Sequence, residues 1–311
     1  MKKSLPYLAL LCLFFYLLSF PSQALLSSRS GLALWFQVLL PTLLPFLILS
    51  NILIQANLIP KLTGWISPVF RRLLGISSSG TYALIAGFLC GYPVGAKILA
   101  QLKVAGQIPD PEAKYLLSFC NNASPAFLIT FLASEQLKRP ELAVPTLLLV
   151  YGAPLLYGIL KNPSFRREMK RDGARLFVVK KAPTVQIHFG LIDACIMDAV
   201  ITITKLGAYI ILFSILAGMI QALPMLPEGA KSILIGVTEI TNGIAYIAEK
   251  YPLSISFPLL MFLTTFGGLS SLAQTESVTN QARFPMRPYL NAKILSAFLS
   301  GGGALLFSLL F

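Results

Sequence analysis

Glu239 is an acid centred in an apolar run, residues 229–250, inside the stretch Thr238-Glu239-Ile240-Thr241-Asn242-Gly243. A carboxylate at the centre of a bilayer costs ~2.5–3.5 kcal/mol on insertion scales, so such a residue faces a cavity or is held by partners. As a functional group, Glu239 can hold a proton or Na⁺ with Thr238 and Thr241 adding oxygens, or accept hydroxyls from a ribose. As a structural group it is a protonated, hydrogen-bonded helix stabiliser. Lys97 is the matching cation in an earlier apolar run, placed after Gly91-Tyr92-Pro93. It can pair with a solute carboxylate or with Glu239, or snorkel to the membrane face.

Two further clusters fit the same chemistry. Asn121, Asn122 and Ser124 precede Pro125, where a half-helix N-terminus favours an anion; the alternative use of these groups is hydrogen bonding between helices. Ser270, Ser271 and Gln274 follow Gly267-Gly268. With Tyr92, Thr241 and Asn242 these residues form the candidate solute site. Proline removes a backbone donor and clashes with the preceding turn. In hydrocarbon the freed carbonyls are tolerated only beside protein or water, and secondary transporters build midplane sites from such broken helices.

The elements that must position these groups are membrane helices. Of 311 residues, 56% are apolar and 12% charged, and the mean hydropathy is +0.75. Many apolar runs approach the ~20 residues that span ~30 Å of hydrocarbon. The sequence therefore specifies an all-α polytopic protein of the cell membrane. The net charge of +13 reads as basic loops on the cytoplasmic face rather than as a nucleic-acid surface. No GxSxG, Walker or HExxH motif is present, and His188 is the single histidine, so neither an enzyme, an ATP-driven pump nor a cofactor is expected. Cys12, Cys90, Cys120 and Cys195 form no CxxC pair and are expected to be buried small residues rather than metal ligands.

In chain order, residues 1–30 form an N-terminal transmembrane helix, with Ser22-Gln23-Ala24 resembling a cleavage site and an uncleaved anchor preferred. Residues 31–160 and 184–311 are two repeats, joined by a basic cytoplasmic loop at 161–183. Within the first repeat, residues 58–76 suit an interfacial helix; residues 184–199, with Asp193 and Asp198, suit another. About a dozen residues flank each side of Gly91-Tyr92-Pro93, a rise of only ~18 Å, so a re-entrant hairpin is expected there and again at 229–250. The halves echo each other: Gly87 precedes CGYPVG as Gly236 precedes TEITNG, and Phe119 leads into NNASP as Phe266 leads into GGLSS. With Lys2-Lys3 inside, the heavy basic clusters, including Arg71-Arg72 and Arg283/Arg287, fall on one face. The first hairpin then opens inside and the second outside, which makes the repeats inverted.

GYPVGAK at 91–97, LLSFCNNASPAF at 116–127, GVTEITNG at 236–243 and FGGLSSLAQ at 266–274 resemble the YlbJ-type sporulation integral membrane proteins. That family carries the nucleoside-recognition, or Gate, domain and is similar to the concentrative nucleoside transporters. The resemblance covers residues 31–311 and implies secondary transport of a small planar carboxylated solute. Dipicolinic acid is the implied solute, moved across the outer forespore membrane; apart from the resemblance, Glu239 makes H⁺ or Na⁺ the candidate coupling ion, and the sequence is compatible with an oligomer. The alternatives are a nucleoside or nucleobase transporter, and a non-transporting scaffold for spore-envelope assembly.

Overall fold

The computed structural model describes residues 5–173 and 185–309. The described residues are almost wholly helical. Four helical segments are long and apolar enough to cross a membrane: Pro140–Arg171, Phe189–Gln221, Leu253–Ala282 and Met286–Ser308. There are six such spans if each of two sharply bent pairs counts as one.

Helix α1 (Leu5–Ser19) turns through 108° into α2 (Pro21–Leu34). A π-turn, Trp35–Leu39, carries α2 into α3 (Leu40–Gln55). The boundary expected at residue 31 therefore lies inside a helix. Gly31 is there for packing: a Cβ on it would sit 2.8 Å from Ser214 Oγ. The region expected as one interfacial helix is two short ones, α4 (Ile59–Thr63) and α5 (Ser67–Leu74), with Trp65 exposed between them.

The first hairpin is α6 (Ser78–Cys90) and α7 (Val94–Val104), broken at 91–93. α8 (Asp110–Cys120) follows, breaks at 121–124, and resumes at Pro125 into a π-helical segment, Phe127–Gln136. α9 (Ala143–Arg171) returns. The second half repeats the order: α10 (Phe189–Gln221), a hairpin of α11 (Glu228–Thr238) and α12 (Ile240–Lys250), a span broken at Gly267 into α13 (Leu253–Phe266) and α14 (Gly268–Thr279), and α15 (Met286–Ser308).

Two expectations change. Residues 161–171 continue α9 as helix rather than forming a loop, and residues 174–184 lie outside the described residues. Asp193 and Asp198 sit in the opening turns of the 33-residue α10, not on a separate interfacial helix, because nothing after Phe189 breaks the helix. Cys12 is exposed and Cys90 half-buried, while Cys120 and Cys195 are buried as expected.

Contacts between the halves come in reciprocal pairs. α7 packs on α14, and α12 packs on the 127–136 segment; α8 packs on α15, and α13 packs on α9. Such reciprocity is the contact pattern expected of two repeats related by a pseudo-two-fold axis. The hairpins are closed by matched glycines. A Cβ on Gly95 would lie 2.8 Å from Gly87 Cα, and one on Gly243 2.2 Å from Gly236 Cα. Only glycine lets the two backbones approach that closely.

The charges sort as the topology requires. Lys103 at the first hairpin's mouth donates to Ala282 O (2.7 Å) and lies over the Phe284 ring. Asn162, bonded to Arg166, donates to Leu74 O. Residues 71–75, 103–114, 161–171 and 282–287 thus share one end. Arg139, Glu141, Leu253 and Ser308 line a cavity at the other. Each mouth is clasped by charge. Asp110 pairs with Lys103 and Lys114, and Glu228 with Lys250 at 2.6 Å. Hydrogen bonds from Lys250 and then Tyr246 hold the Glu228 carboxyl below its ordinary value. The clasp on hairpin two is therefore complete above the unfolded glutamate value of about 4.3 and weakens as pH falls through the lower folded value. We expect the protection of amides at 228–250, relative to their intrinsic exchange rates, to fall below about pH 4, and Glu228→Gln to remove that pH dependence.

Candidate functional site

The breaks converge. A cavity of about 60 Å³ is lined by Tyr92, Ser124, Glu239, Thr241, Ser270, Ser271 and Gln274, together with Gly91, Gly267 and apolar side chains. Seven of the residues expected at the site therefore meet there. Four half-helices begin at this cavity: α7 after Pro93, the segment from Pro125, α12 after Glu239 and α14 after Gly267. All four present N-termini, whose unsatisfied N–H groups and partial positive charge favour an anion.

Glu239 is the carboxyl group at this junction. It is 3% exposed and caps α12. Its Oε2 accepts from Asn242 N (2.9 Å), Asn242 Nδ2 (2.8 Å) and Thr241 Oγ1. Asn242 also donates to Ser214 Oγ of α10 (3.2 Å). Among the described residues no cation forms an ion pair with Glu239. Thr238 ends α11 and is buried without lining the cavity. No three His, Cys, Asp or Glu side chains cluster among the described residues.

The carbonyls released at the second break are each accounted for. Lys293 Nζ donates to Asn121 O (2.9 Å), Tyr92 N to Asn122 O (2.6 Å), and Tyr151 Oη to Ala123 O (2.8 Å). Gly91 supports this join with φ +84°, and a Cβ there would lie 2.7 Å from Ser124 N.

Three expected site residues lie elsewhere. Asn121 donates to Thr275 Oγ1 (2.9 Å) and Tyr289 Oη (2.8 Å), and Asn122 donates to Phe119 O (2.8 Å). Their amides tie the end of α8 to α14 and α15 and do not face the cavity. Lys97 points away from Glu239: its Nζ lies 2.7 Å from Asp198 Oδ2 and 2.5 Å from Thr202 Oγ1, both on α10.

The cation of the centre is Lys293 on α15. It is 2% exposed, 6.0 Å from the Tyr92 ring centroid, and 3.4 Å from Asn122 Oδ1. It forms no ion pair among the described residues. The sequence offered one signal for it: a lysine in the second turn of the last apolar span, which reads equally as a snorkelling end-of-helix base. Tyr92 thus lies near both Glu239 and Lys293, neither of which forms an ion pair among the described residues.

Comparison with known proteins agrees with this architecture. Residues 36–136 match the Gate family, described as nucleoside recognition. That stretch runs from the π-turn through the first hairpin and the first broken helix. The chain is 26% identical over 309 residues to the sporulation integral membrane protein YlbJ of Bacillus subtilis (strain 168), covering 89% of this chain and 76% of that protein. No solved structure matches significantly. The chain is a multi-pass membrane protein similar to that sporulation protein, and its first hairpin lies within the stretch that matches the Gate family.

Proposed function

We propose that this protein is a secondary-type transporter, not an enzyme, for a small planar carboxylated solute, with dipicolinate the first candidate and the outer forespore membrane its site of action. The observation that carries this reading is the meeting of four half-helix N-termini around Glu239, with Lys293 behind Tyr92. The helix termini and Lys293 offset the solute's negative charge. Tyr92 offers a ring face to a planar ring. Glu239 takes up a proton or Na⁺ with the solute, which removes the repulsion between two anions. Sporulation enters through the relative's printed name.

A cavity of about 60 Å³ holds a few waters, whereas sites for small organic molecules measure ~300–1,000 Å³. The conformation is therefore closed around its site, and loading requires a hairpin to move. Alternating access follows from the pseudo-symmetric pair of hairpins, each able to uncover the site to one side.

A second reading is a nucleoside or nucleobase solute. It is favoured by the Gate description and by hydroxyl and amide groups at Thr241, Ser270, Ser271 and Gln274. Uptake of labelled dipicolinate into liposomes holding the purified chain separates the two, with unlabelled nucleosides as competitors. Dipicolinate uptake that nucleosides do not block supports the first reading. Nucleoside uptake alone supports the second. Folded protein that moves neither leaves a scaffold for envelope assembly. Glu239→Gln keeps the shape and removes the charge; it should lower uptake at least tenfold and abolish its dependence on an imposed H⁺ or Na⁺ gradient.

A further inference from the structure

A second cavity, of about 460 Å³, lies between α3, α7, α10 and α14. It borders elements that also approach the central cavity. The break before α7 lines the centre through Tyr92, and α7 itself lines the second cavity through Lys97 and Gln101; α14 lines the centre at Gln274 and the second cavity at Ser277 and Val278. α10 lines the centre at Ile210 and the second cavity at Lys205, Thr202 and Asp198. The second cavity lies towards the mouth of the first hairpin, the end that carries the basic clusters and is cytoplasmic by the positive-inside rule.

Its chemistry is that of an anion site held shut by an internal anion. Lys97 is 5% exposed and its ammonium is occupied by Asp198 and Thr202. Lys205 is exposed, faces the same space and has no ion pair among the described residues; it lies close enough to repel Lys97. Gln101 donates to Asn51 Oδ1 (2.8 Å), while its own buried Oε1 has no hydrogen-bond partner. The Asp198 side chain is 47% exposed and also accepts from Asn51 Nδ2 (2.8 Å), so it can turn to water only if another anion takes its place on the buried Lys97.

We infer that this cavity is a second anion-binding site, the cytoplasmic vestibule of the transport path, where a carboxylate of the solute bridges Lys205 and Lys97 and displaces Asp198. The volume suits a small planar dicarboxylate. The exchange removes one of the two side-chain contacts, to Asp198 and to Thr202, by which Lys97 ties hairpin one to α10. The proposal rests on the transporter reading for the identity of the solute, but not for the existence of the anion site.

The test is equilibrium binding of dipicolinate to the full chain in nanodiscs of neutral phosphatidylcholine, beside uptake in liposomes. Lys205→Gln, a change at an exposed position, should weaken vestibule binding roughly tenfold, the worth of one charge-assisted hydrogen bond. Asp198→Asn should tighten it, because Lys97 loses its internal competitor; a merely structural ion pair predicts no tightening. Wild-type uptake left unchanged by both variants, with unchanged binding, overturns the vestibule and spares the transporter reading. Binding that depends on Lys205 without any uptake keeps the anion site and removes the transporter. In nanodiscs containing phosphatidylglycerol, competition that vanishes in Lys205→Gln assigns the site to a lipid phosphate, overturning its solute role.

Discussion

Lys293→Met abolishes uptake without unfolding the protein. The lysine is buried on α15, against the carbonyl of Asn121 and the Tyr92 ring, and no carboxylate of the described residues forms an ion pair with it. Burying an ammonium without a counter-charge is costly, and removing it offsets the loss of its hydrogen bond to the Asn121 carbonyl. The melting temperature in detergent should therefore hold or rise. The role left to the charge is a transient one: a partial anion at the C-terminal end of α8 when the site is empty, and the solute's carboxylate when it is full. Removing a charge-assisted contact in a water-poor site costs about 2–5 kcal/mol, so uptake should fall by roughly two orders of magnitude. Lys293→Arg, which keeps the charge in a bulkier group, should retain part of it. Wild-type uptake in Lys293→Met would show that the lysine serves only to cap α8.

Gly243→Val removes folded protein from the membrane. A Cβ at this position would lie 2.2 Å from Gly236 Cα, so the two arms of hairpin two must separate to admit any side chain. Alanine alone should cost about 1–3 kcal/mol through overpacking, and valine considerably more. Gly87→Val should do the same in hairpin one, where a Cβ would lie 2.2 Å from Cys120 O. Gly302→Ala is the contrast: nothing lies within 4 Å of a Cβ there, and the change should stay within ±0.5 kcal/mol. Its neighbours Gly301 and Gly303 do pack closely, against Phe262 and Leu149. Chemical denaturation of purified variants, or their yield in the membrane, reads the difference. Equal yields for Gly243→Val and Gly302→Ala would remove the tight-hairpin account.

The breaks were legible because proline, glycine and polar residues in an apolar run have few uses apart from interrupting a helix. Gly91-Tyr92-Pro93, Ser124-Pro125, Glu239 and Gly267 accordingly mark the half-helix ends that meet at the cavity. What a sequence does not carry is which polar group another helix consumes. Asn121 and Asn122 have the composition of a site, yet their amide N–H groups are spent on Thr275, Tyr289 and Phe119. Lys97 could be paired with Glu239 on paper because only the fold brings α10 beside α7, with Asp198 101 residues away in the chain. Lys293 stayed hidden for the opposite reason: a base near the end of a span is ordinarily at the membrane surface, and here α15 is placed so that it is buried. Charge composition also misled at 161–171, where a basic stretch reads as loop but continues α9 as its last turns.

The central claim is that the solute occupies the cavity where the four half-helices begin. The most direct measurement is protection of a cysteine there: Ser271→Cys, in a chain with Cys12 and Cys90 replaced by serine, labelled by a small water-soluble thiol reagent in proteoliposomes. Saturating dipicolinate should slow labelling at least tenfold, with no such protection once Lys293 is methionine. Labelling at an unchanged rate in liposomes that demonstrably accumulate dipicolinate would contradict the account and move the solute path away from the breaks.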